Sequence, residues 1–145
     1  MKKYELTSET KIVFGHILYR IKALSSFGYV SAGDLGGFLE SEKNLSQNGN
    51  AWVSGNAEVS GDAEVSEIGA IFWIGAVGSR NDTATFFRCR DGSIKVVCGC
   101  FFGNLDEFAK KVRKTHGDND HAKVYMLAID MAKIRISTEK EKTEE

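Results

Sequence analysis

The sequence predicts an α+β protein whose N-terminal half is a short β-solenoid-like coil and whose C-terminal half is a three-stranded antiparallel meander with two helices. Three observations carry this expectation. Residues 51–68 repeat with period six, residues 71–99 alternate apolar runs with turn signals, and residues 104–133 place apolar side chains at helical spacing. The chain of 145 residues is long enough for one domain or two very small ones. The halves expected are 1–68 and 69–137, followed by a charged, disordered tail over 138–145. Its 19 Lys+Arg against 20 Asp+Glu remove any general polyanion-binding argument, so no DNA partner is expected. Average usage would supply about seven prolines in this length, yet the chain has none and 15 glycines. Its turns must come from Gly, Asn, Asp and Ser.

From Lys11 to Leu24 apolar and polar residues alternate, the pattern of a half-buried strand, with Lys3 to Leu6 as a short pairing partner. Gly33-Asp34-Leu35-Gly36-Gly37 is too rich in glycine for a regular element and reads as a tight turn presenting Phe38 and Leu39 to the core. The hexads are Ala51-Trp52-Val53-Ser54-Gly55-Asn56, Ala57-Glu58-Val59-Ser60-Gly61-Asp62 and Ala63-Glu64-Val65-Ser66-Glu67-Ile68. Ala and Val two apart point the same way on a short strand, and Gly-Asn or Gly-Asp supplies a corner. One such turn cannot bury its own faces, so residues 30–50 must provide a second, irregular coil or another chain must stack on it, and both are expected. Trp52, between Ala51 and Val53, is expected to project outward and mark a contact in a homo-oligomer.

Strands are expected at Ile71–Val77, Thr83–Arg90 and Ser93–Gly99, the last two joined by an Asp91-Gly92 type I′ turn. Asn104 with Glu107 forms a capping-box pattern opening a helix through Leu105, Phe108, Ala109 and Val112, which Gly117 ends. Asp118, Asn119 or Asp120 then caps a second helix to about Lys133.

Residues 33–65, GDLGGFLESEKNLSQNGNAWVSGNAEVSGDAEV, together with the approach GHILYRIKAL, resemble small accessory proteins of phages and prophages that carry hexapeptide β-solenoid segments. The resemblance covers roughly the first half of the chain. It implies a mobile-element origin and action by binding. The implied partners are a small phosphorylated host molecule, sequestered as an anti-defence measure, or a host defence protein. Hexapeptide repeats are also a scaffold of trimeric acyltransferases, but His16, His116 and His121 all lie outside the hexads.

Cys89, Cys98, Cys100 and His116 have the composition of a Cys₃His zinc set. With a two-residue turn at Asp91-Gly92, however, Cys89 and Cys98 stand about 13 Å apart along their strands. His116 lies about 16 Å along a helix from its start. No metal and no cofactor is expected, and Cys89 and Cys98 read as small core residues. The same register brings Ser79, Arg80 and Asn81 toward Gly99 and the helix start at Gly103-Asn104. Free N–H groups, a helix N-terminus and the Arg80 guanidinium would suit a phosphate there. Arg88, Arg90 and Lys95 share a strand face and form a second candidate, a small basic patch for nucleotide or RNA. His116 and His121 flank Asp118, Asn119 and Asp120, so whether the chain turns a substrate over stays open. The alternatives to binding are a nucleotide hydrolase using His116, a reduced acyltransferase, and a structural assembly protein. The start MKKYELTSET lacks an apolar signal core and no apolar run reaches the roughly 18 residues of a membrane span. A soluble, cytoplasmic protein without a membrane partner is therefore expected.

Overall fold

The computed structural model describes residues 2–136; the tail expected over 138–145, with residue 137, lies outside them. The element order is β1 (Tyr4–Val13), β2 (His16–Ala23), β3 (Leu35–Leu39), β4 (Glu58–Val59), β5 (Ile71–Val77), β6 (Asp82–Arg88), β7 (Ile94–Cys98), β8 (Phe101–Asn104), α1 (Leu105–His116) and α2 (Asp120–Arg135). Two four-stranded sheets, ordered β1-β2-β3-β4 and β5-β6-β7-β8, replace the expected solenoid and three-stranded meander.

The first sheet begins as a hairpin. The alternating run Lys11–Leu24 folds back on itself at Phe14-Gly15, whose φ values of 50° and 81° make the tight turn, and β1 pairs antiparallel with β2 from Tyr4↔Ala23 to Val13↔His16. Gly36 and Gly37 belong to β3. A Cβ on either would stand 2.5 Å from the Val53 carbonyl oxygen or 2.4 Å from that of Ala57, so glycine lets the hexad chain lie directly against the strand.

The hexads do not form a regular coil. Only Glu58–Val59 pairs as a strand, parallel to β3 through Phe38↔Glu58 and Leu39↔Val59, while Leu45↔Val65 and Ala63↔Cys89 are isolated bridges. Their alternation still sets direction, because Ala51, Val53, Ala57, Val59, Ala63 and Val65 are all buried in one cluster. What covers that cluster is the second sheet. Ile71, Phe87, Cys89 and Val97 complete it, Glu58 N–H donates to Thr85 Oγ1 at 3.0 Å, and Arg90 N–H donates to the Asp62 carbonyl at 2.9 Å. A solenoid needs another coil on its open face; here a sheet occupies it.

The second sheet gains β8, which pairs antiparallel with β7 from Cys98↔Phe101 to Lys95↔Asn104. Its four residues include Gly103 and merge into the helix cap, leaving little strand signature. The β6–β7 turn also differs from the expected type I′. Gly92 has φ 88° while Asp91 is not left-handed, Gly92 N–H donates to Cys89 O and Cys89 N–H to Ser93 O. That is a three-residue loop closed by a left-handed glycine. The pairing becomes Ala84↔Cys98 and Arg88↔Ile94, one residue from the expected register, and such a shift exchanges neighbours across the faces. Phe86, Ile94, Val96 and Cys98 consequently face the helices, in a second cluster with Phe108, Val112, Tyr125, Ala128 and Ile129. The layers are therefore first sheet with hexads, second sheet, and helix pair. The middle layer is buried on both faces, which is why β6 reads as a continuous buried run from Ala84 to Phe87.

Asn104 caps α1, accepting from Glu107 N–H at 2.8 Å while the Glu107 carboxylate accepts from Asn104 N–H at 2.9 Å. Gly117 ends the helix at φ 66°, and Asn119 caps α2 by accepting from Ala122 N–H at 3.0 Å. Among the described residues no helix is long and apolar enough to cross a membrane.

Candidate functional site

The turn at Gly78 to Asn81 joins β5 to β6, and the Gly99-Cys100 turn joins β7 to β8 at the same end of the second sheet. Because β8 carries the chain to the other end before α1 starts, α1 runs back toward these turns and delivers its C-terminal half there. The result is a cavity of about 320 Å³ walled by Ser79, Arg80, Asp82, Gly99, Cys100, Lys111, Thr115 and His116. Phe101, Phe108, Val112 and Tyr125 form its apolar floor. Lys111 and Thr115 lie one helical turn apart and so face the cavity together.

Ser79, Arg80 and Gly99 thus meet as the sequence suggests, but three expected partners do not join them. Asn81, at φ 56°, turns to the opposite side, where it lines a separate recess with Lys11 and Glu58. Gly103 and Asn104 sit at the far end of β8, about 10 Å away at strand rise. The α1 N-terminus is also already supplied with anions: its capping box is closed, and Asp106 and Glu107 occupy the first turn. Lys111, Thr115 and His116 take the place of that helix end. No sequence pattern marks Lys111 or Thr115, since their arrival depends on the direction β8 imposes on α1.

Arg80 and Lys111 are exposed, and neither forms an ion pair among the described residues. Asp82 is the single carboxylate in the lining against these two cations. The His116 ring stacks on Tyr125, centroids 5.8 Å apart at 27°, and lies 5.3 Å from the His121 ring. Burial holds the Tyr125 hydroxyl well above the usual phenol range, with the neighbouring Cys98 adding to the effect. Tyr125 therefore stays protonated as a hydrogen-bonding group. Burial likewise pushes the Cys98 thiol up to about 11, and its sulfur lies 3.9 Å from the Tyr125 oxygen.

The expected basic patch is divided by the register. Arg88 lies on the helix-facing side of β6 and pairs with Glu67 at 3.2 Å. Lys95 lies on the other face, paired with Asp62 at 3.2 Å, and Arg90 sits exposed in the turn. Trp52 does not project freely outward from the hexads. It is half-buried between Phe27 and Tyr4, at centroid distances of 5.4 and 6.3 Å. Cys89 and Cys98 are buried on opposite faces of the second sheet and Cys100 is exposed. Among the described residues no three His, Cys, Asp or Glu gather as a metal-holding group.

No protein-family model matches the chain, and no curated protein matches it.

Proposed function

We propose that the protein acts by binding, and that the corner cavity takes the phosphate end of a small phosphorylated molecule. The observation carrying this reading is the pair of cations, Arg80 and Lys111, that flank a cavity of about 320 Å³ without ion-pair partners among the described residues. Arg80 supplies a forked donor and Lys111 a mobile point charge. The Ser79 and Thr115 hydroxyls complete a donor set for phosphate oxygens, and the aromatic floor suits an apolar portion of the same molecule. The cavity lies at the small end of ligand pockets, roughly 300–1,000 Å³, which favours a compact ligand.

The likeness of residues 33–65 to phage and prophage proteins supports a counter-defence setting, in which the chain withdraws a phosphorylated host signal in the cytoplasm of the infected cell. Assembly with a second copy belongs to the same proposal, through the outer face of α2 rather than Trp52. The second reading, hydrolysis of the bound molecule, draws on one observation: His116 lines this cavity. Its ring is positioned by stacking on Tyr125, and among the described residues it has no hydrogen-bonded side chain of the kind that orients a general base.

Calorimetric titration with inorganic pyrophosphate tests the site. Hydrogen bonds to charged groups contribute about 1.5–3 kcal/mol each, so Arg80→Gln and Lys111→Gln should each weaken binding about tenfold or more while leaving thermal unfolding unchanged. Wild-type affinity in both variants would remove the site. Recovery of unaltered pyrophosphate separates binding from turnover, and hydrolysis lost in His116→Ala would transfer the assignment to the enzyme.

A further inference from the structure

The chain has two tryptophans, and both line one cleft of about 500 Å³ that shares no residue with the corner cavity. Trp52 reaches it from the first hexad and Trp73 from β5, on the β5 side that carries Ile71 toward the first sheet. Tyr29, Leu35, Ile68 and Arg135 also line it.

The two indoles have different freedom. Trp52 is clamped edge-on by Phe27 and Tyr4 at interplanar angles of 70° and 71°. Its ring also lies so close to Gly36 that a Cβ there would stand 2.7 Å from the indole, so Trp52 is a fixed wall. Trp73 keeps 37% of its surface exposed and Tyr29 is fully exposed, leaving aromatic surface open to a ligand. Arg135, in the last turn of α2, places its guanidinium beside Gly69, with Nη1 3.6 Å from where a Cβ would be. It forms no ion pair among the described residues.

We infer that this cleft is a second binding site, for a flat heteroaromatic ring carrying one anionic group, the chemistry of a nucleoside monophosphate. Two indole rings at one opening offer π surface on which any base can stack. A guanidinium at the rim matches a phosphate bidentately, and the fixed Trp52 removes part of the ordering cost of binding. Asp34 and Asn50, also in the lining, add acceptors and donors for ring edges. The cleft shares no lining residue with the corner cavity, so occupancy of one does not require the other.

Because no tryptophan lies elsewhere in the sequence, intrinsic fluorescence reports on this cleft alone. Titration with GMP and AMP, corrected for absorbance with N-acetyltryptophanamide, should give saturable quenching. Guanosine, which lacks the anion, should bind at least tenfold more weakly, and inorganic phosphate should leave the emission unchanged. Arg135→Gln and Trp73→Ala, both at exposed positions, should each lower GMP affinity at least tenfold with unfolding midpoints held, whereas Arg80→Gln should leave the titration intact. A flat titration with both nucleotides would overturn the site, as would equal affinity for guanosine or wild-type affinity in both cleft variants. Pyrophosphate, lacking a ring, reads the corner separately, so either site can fail alone.

Discussion

Three thiols in one small domain experience three environments, and their chemistry should differ accordingly. Cys89 faces the sheet–sheet core, where burial, reinforced by the Asp62 carboxylate, pushes it up to about 12; burial among the helices takes Cys98 to about 11. The thiolate is the nucleophile, so at pH 8 both buried sulfurs are neutral as well as shielded, whereas Cys100 is exposed in the turn lining the corner cavity. Native protein treated with iodoacetamide at pH 8 should therefore take up one adduct, mapped to Cys100 by peptide mass, and pyrophosphate should slow that labelling several-fold. Labelling of all three in the native state would contradict the packing; a rate indifferent to pyrophosphate would contradict occupancy of the corner. At this scale the sequence was partly informative. Ser79, Arg80 and Gly99 announce themselves as polar or left-handed turn residues. Lys111, by contrast, resembles every other exposed cation of its helix, and only the direction of α1 distinguishes it from Lys110 or Lys114.

At the level of elements, one residue of loop length resets the register of the second sheet. Asp-Gly is the usual type I′ signature, but a third loop residue, Arg90, changes the pairing sum by one and sends Lys95 to the face opposite Arg88. The helix ends are legible in the sequence, because Asn104, Glu107, Gly117 and Asn119 encode them locally. Helix α2 carries more apolar surface than one core consumes. Tyr125, Ala128, Ile129 and Ala132 face the second sheet, while Val124, Leu127, Met131 and Ile134 remain exposed, Leu127 by 62% and Ile134 by 86%. Their spacing of three, four and three is that of a helix–helix seam. The groove beside Leu127 is bordered by Arg113 and Lys123 and by Asp118 and Asp130, a balanced charge set complementary to itself under a two-fold axis, so the occupant expected is α2 of a second copy. Sedimentation over a concentration series should show a dimer whose dissociation constant rises at least tenfold in Leu127→Glu or Met131→Glu. A monomeric wild type at high micromolar concentration, or variants that dimerise equally, would exclude this face.

For the molecule as a whole, the hexads show how a correct local pattern can leave the architecture open. Alternation fixed which side of residues 51–65 is buried, and every Ala and Val of that pattern lies in the core. It said nothing about what would lie opposite, since a small apolar face is completed equally well by another coil or by a sheet. Here the complement comes from more than twenty residues later, through Phe87, Cys89 and Val97, and long-range pairing of that kind has no local signature. The dependence is mutual, because the second sheet would expose these side chains without the hexads. A fragment of residues 1–68 therefore lacks the aromatic and aliphatic cover of its own core, and it should show neither a cooperative thermal transition nor protected amides in β2 and β3. The full chain should unfold in one transition, with matching midpoints for far-ultraviolet dichroism and tryptophan emission. Cooperative folding of the fragment, or two resolved transitions in the full chain, would show that the shared sheet–sheet core is not what holds the two halves together.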